Sequence, residues 1–96
     1  MRPVLHGDLI SAARALLLVK PENRRALCAQ IFDQADLAEA FVQQHGRLHR
    51  LYGNGSLMAA ARKYPLGDEP TFDNIDYCRC VVTVLMTFVS RSESNS

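Results

Sequence analysis

The chain has 96 residues, 48% of them apolar and 22% charged, and its formal net charge is +1. That composition argues against intrinsic disorder, and near-neutrality argues against whole-molecule attraction to nucleic acid or anionic lipid. No apolar run approaches the ~20 residues that a membrane span needs, and the length fits one domain with a single modest core.

Leu9, Ile10, Ala13, Leu16 and Leu17 recur at helical spacing, with Asp8 in the first turn, where negative charge suits the helix dipole. Pro21 disfavours helical backbone at Lys20, so this first helix is expected to stop near Val19. Pro21 also suits the first position of a second helix, with Glu22 favourably placed behind it. That helix carries Leu27, Cys28, Ile31, Phe32, Ala35, Ala38, Phe41 and Val42 on one stripe and should end at Gly46. At about 25 residues it would run roughly 37 Å and form the spine of the molecule.

A connection follows from Arg47 to Ser56, and Asn54 or Ser56 can cap a short third helix through Leu57, Met58, Ala59, Ala60 and Ala61. Pro65 ends it, and residues 66–71, with Gly67 and Pro70, read as a loop. For the last helix, Asp73 is the expected cap and Asp76 occupies the capping-box position. Phe72 and Tyr77 stand where a hydrophobic staple would be. The β-branched run around Val81–Val84 could be a strand by propensity, yet nothing else in the chain offers it a partner. It reads as a helix that is apolar nearly all round. The fold class is therefore all-α, a single-domain bundle of four helices over residues 1–90, with a flexible polar tail at 91–96.

Charge is uneven along the chain. Residues 1–39 are balanced, residues 40–67 hold Arg47, Arg50, Arg62 and Lys63 without an acid, and residues 68–96 sum to −3. The basic stretch surrounds Gly53-Asn54-Gly55-Ser56 at a helix start, where backbone N–H groups could hold a phosphate or carboxylate with help from Arg47, His49 and Arg50. The pattern is neither of the glycine-rich phosphate-binding fingerprints, and a turn needing positive φ explains the same residues. Zinc at His45, His49, Cys78 and Cys80 is disfavoured by Gly46 between the histidines and by the Cys-x-Cys spacing. A catalytic thiol at Cys78 or Cys80, with His6, His45 or His49 as base, has no local signature, and Asp73 and Asp76 oppose a thiolate. A helix-turn-helix is disfavoured by the long connection before the third helix and by the lack of base-reading side chains at its start.

The segments Met1-Arg2-Pro3-Val4-Leu5-His6-Gly7-Asp8-Leu9, Gly46-Arg47-Leu48-His49, Tyr52-Gly53-Asn54-Gly55-Ser56-Leu57-Met58-Ala59-Ala60 and Asp76-Tyr77-Cys78 resemble a small family of uncharacterised cytoplasmic proteins. That family is one of the Rhodobacter and Roseobacter group of alphaproteobacteria, and the resemblance spans most of the chain outside the tail. It implies a bacterial cytosolic setting and carries over no functional residues. An odd count of three cysteines and no hydrophobic signal region in the first eight residues give the same expectation of a cytoplasmic setting.

The functional expectation is a non-enzymatic interaction module that self-associates as a homodimer through the last helix, with another protein partner as a further option. The apolar positions Val81, Val82, Val84, Leu85, Met86, Phe88 and Val89 cover more than one stripe, so part of that helix should stay uncovered in a monomer. The alternative is a small anion- or nucleotide-binding protein using the Gly53–Ser56 turn, with DNA binding behind it. No metal, cofactor or membrane is expected.

Overall fold

A computed structural model describes residues 4–94. Helix α1 spans His6–Leu17, a single 3₁₀ turn spans Pro21–Asn23, α2 spans Arg24–His45, α3 spans Leu57–Ala61 and α4 spans Ile75–Ser94. The architecture is all-α, with four helices of which the third is short.

Each boundary has a local cause. The Leu5 N–H donates to Asp8 Oδ2 at 2.9 Å, so a first-turn carboxylate closes the start of α1. Pro21 opens a 3₁₀ turn and not α2 itself, which begins three residues later than expected and is 22 residues long. Gly46 ends α2 in the left-handed conformation, φ 68°, and its N–H donates to the Val42 carbonyl. Ser56 caps α3 by accepting from the Ala59 N–H at 3.1 Å, while Asn54 Oδ1 accepts from the Ser56 N–H and tightens the turn before it.

Two expectations at α4 need correction. The cap is Asn74 and not Asp73: Asn74 Oδ1 accepts from the Tyr77 N–H at 3.0 Å, and Asp73 instead accepts from the Thr71 hydroxyl. Asp76 does not close a capping box. It pairs with Arg24, because a buried guanidinium draws the nearest carboxylate more strongly than a backbone N–H does. The staple is present, with the Phe72 and Tyr77 rings stacked at 5.6 Å. The tail expected at 91–96 overlaps this helix. Helix α4 continues through Arg91 to Ser94, held by Arg91 Nη2 donating to Asp33 at 2.7 Å and Asp36 at 2.9 Å while its guanidinium lies over the Phe32 ring. Residues 95–96 of that expected tail lie outside the described residues.

Helix α1 sits at the centre and touches α2, α3 and α4. Its alanines, Ala12, Ala13 and Ala15, are buried and let neighbouring helices come close, while Leu16, Ile31, Phe32, Leu57, Tyr77 and Val84 fill the space between. Arg24 joins the starts of α2 and α4, and Arg91 joins their later turns, so these two helices run side by side in the same direction. Helix α1 runs against both, since its last carbonyls meet Arg24. The far end of α1 meets α3, where Asp8 Oδ1 accepts from the Met58 N–H at 2.9 Å.

Candidate interaction site

The Gly53–Ser56 turn is a structural joint. Connecting residues 47–56 form a small hairpin in which His49 and Gly53 exchange both backbone hydrogen bonds, at 2.8 and 3.1 Å. His49 Nδ1 accepts from the N–H groups of Leu51 and Tyr52, so its ring serves the turn. That ring stacks on Tyr52 at 5.1 Å and meets Phe41 edge-on at 5.0 Å, and Phe41 also contacts His45. Arg47 lies over the Phe41 ring, 5.8 Å from its centroid, while Arg50 is exposed.

At the start of α3 two backbone donors are engaged within the chain. The Met58 N–H goes to the Asp8 carboxylate and the Ala59 N–H to the Ser56 hydroxyl. Gly55, buried with φ 90°, passes so close to α2 that a Cβ there would lie 2.7 Å from the Glu39 Cα.

The metal and thiol candidates are dispersed. Among the described residues no three His, Cys, Asp or Glu side chains are grouped as a metal site. His45 and His49 flank Phe41, Cys80 is in the core, and Cys78 donates its S–H to the Phe72 carbonyl at 3.1 Å. Burial pushes the Cys28 and Cys80 thiols up, which favours the neutral form that a small buried hydrophobe needs. Helix α3, five residues long with Leu57, Ala60 and Ala61 buried, offers little surface to a nucleic-acid groove.

Helix α4 presents an open apolar face. Its inner face, Tyr77, Cys80 and Val84, is fully buried, and Val81 and Phe88 pack at the core's edge. Its outer face carries Val82 at 50%, Leu85 at 43%, Met86 at 67% and Val89 at 51% exposure. Neither α2 nor the loop before α4 covers that face. Beside it, α2 and α4 bound a groove of about 800 Å³, floored by the small side chains of Ala26, Ala29, Thr83 and Thr87 and edged by Met86.

Arg24 and Arg91 hold the groove's walls in place. Arg24 is 7% exposed and binds both Asp76 oxygens, at 2.7 and 2.8 Å, while its Nε donates to the Leu16 carbonyl at 3.0 Å. The Arg24 hydrogen bonds hold the Asp76 carboxyl below the usual carboxylate range. Sequence reasoning missed both arginines. A signal for Arg24 existed, because it stands four residues before Cys28 on the buried stripe of α2; Arg91 offered none beyond being the last positive charge.

These features define a small helical module with an exposed apolar face on α4. Residues 2–88 match the family described as a domain of unknown function, DUF7742, and the chain belongs to that family. No curated protein and no solved structure matches it. Among the described residues, no helix is long and apolar enough to cross a membrane.

Proposed function

We propose that this protein is a non-enzymatic interaction module that pairs with a second copy of itself through the outer face of α4. The observation that carries the reading is the contiguous exposure of Val82, Leu85, Met86 and Val89 on one helix face. Monomers seldom leave such a patch open to water, because covering it removes apolar surface at about 25 cal/mol per Å². The adjoining groove supports the same reading: alanine and threonine on its floor allow the backbone of an incoming helix to approach closely. A twofold-symmetric pair lets one surface serve both partners. The three cysteines are all free thiols, which suits the cytoplasmic setting that belongs to this proposal. The Gly53–Ser56 turn receives no ligand in this reading, since Asp8 and Ser56 fill its role from within.

Sedimentation equilibrium at micromolar concentration tests it. The average mass should rise above the 10.7 kDa of one chain as concentration increases. Met86→Lys should raise the dissociation constant by at least about tenfold, because it sets an ammonium in a surface that must lose its water. Met86 is 67% exposed, so the monomer's melting temperature should hardly move. A single species at the monomer mass across the concentration range ends the proposal.

A further inference from the structure

The outer face of α4 is arranged so that it can complement a copy of itself. Arg79, Val82, Met86, Val89 and Glu93 follow one another at steps of three, four, three and four residues, the spacing that keeps side chains on one seam between two helices. All five are exposed. The seam is apolar in its middle, cationic at the end near the start of α4 and anionic at the other. Met86 stands midway between the two charges. Arg79 and Glu93 are fourteen residues apart, about 21 Å along the helix.

We infer that two copies of this chain pair antiparallel along α4, with the twofold axis near Met86 and Arg79 of each protomer meeting Glu93 of its partner. The inference rests on the self-association proposed above and specifies its geometry. Rotation by 180° about an axis at Met86 carries Arg79 to the level of Glu93 and Val82 to within one residue of the level of Val89. Opposite charges then meet at both ends and apolar side chains meet in the middle. A parallel pair places Arg79 against Arg79 and Glu93 against Glu93, and like charges facing one another work against it. Antiparallel packing also directs each Glu93 toward the end of the groove where Arg25 of the other protomer lies, adding a second cation to the same anion. The walls stay neutralised within each protomer, because Arg91 is already bound to Asp33 and Asp36 and Arg24 to Asp76.

Charge exchange separates the possibilities. The full-length wild type, Arg79→Glu and Glu93→Arg are compared by sedimentation equilibrium at low and high salt, each alone and the two variants mixed in equal amounts. Helical content by circular dichroism checks that each variant keeps its fold. Each variant alone should associate about three- to fivefold more weakly than wild type, the mixture should regain wild-type affinity as a heterodimer, and high salt should shrink the differences. Wild type that remains monomeric overturns the self-association reading beneath this inference. Wild type that dimerises while both variants match it overturns the antiparallel pairing alone, since a parallel pair exchanges one like-charge contact for another. Variants that weaken without recovery on mixing overturn the Arg79–Glu93 contact.

Discussion

Gly55→Ala should lower the stability of the fold by roughly 3 kcal/mol, the sum of a strained backbone and an overpacked contact. At this chain length that corresponds to about 15 °C in melting temperature. The backbone at Gly55 has φ 90°, a region that side-chain-bearing residues rarely enter. A methyl group there would also stand 2.7 Å from the Glu39 Cα and 2.9 Å from its amide nitrogen. Those are main-chain atoms in the middle of a helix, so they cannot swing aside as a side chain does. Relief requires the hairpin to lift from α2, which would disturb the Asp8–Met58 contact as well. Gly46→Ala is the companion measurement. Gly46 has φ 68°, but nothing lies within 4 Å of the added Cβ, so it should cost only about 1 kcal/mol. Urea denaturation of the two variants beside wild type measures the difference, and equal costs would mean that close approach to α2 contributes nothing.

Arg24→Met should cost about 2 kcal/mol, the scale for losing hydrogen bonds from a charged donor inside the protein. Methionine keeps the buried stem but removes the fork that ties the last carbonyls of α1 to the start of α4. Arg24→Lys should recover little, because one ammonium cannot span both Asp76 oxygens and the Leu16 carbonyl together. The effect should also depend on pH. Asp76 has its folded pKa lowered, mainly by the Arg24 hydrogen bonds. Its stabilising contribution is therefore fully present above the unfolded aspartate value, about 3.9. It is lost as pH falls through the lower folded value. Urea midpoints followed downward from pH 6 should fall less steeply in Asp76→Asn than in wild type. An unchanged acid limb would show that the pair adds no pH-dependent stability.

Much of the architecture was legible in the chain because its signals are local. The apolar stripes of α1 and α2, the Pro21 break, the Gly46 stop and a cap at Asn54 or Ser56 each depend on a few neighbouring residues, and the structure keeps them with small shifts at the ends, Ser56 being the cap. The β-branched run 81–84 needed one non-local argument, the want of a partner strand, and it is helical. The width of its apolar face also predicted that part of it would stay open, and the open part is Val82, Leu85, Met86 and Val89.

Other features were decided only when distant segments met. Asp73 and Asn74 are both good caps by residue type, and their order could not be settled before Asp73 found Thr71. Asp8 reads as a first-turn charge on α1, yet it also accepts from the Met58 N–H at the start of α3, fifty residues away. Arg91 reads as the start of a polar tail until Asp33, Asp36 and Phe32 surround it and extend the helix past it. The sequence by itself determined which segments are helical and which helix has apolar surface to spare, because both follow from periodicity and short-range sterics. Only the tertiary structure decided which carboxylate meets which cation and which backbone donors remain available, because hydrogen bonding and Coulomb attraction act between groups that the fold alone brings within 3 Å.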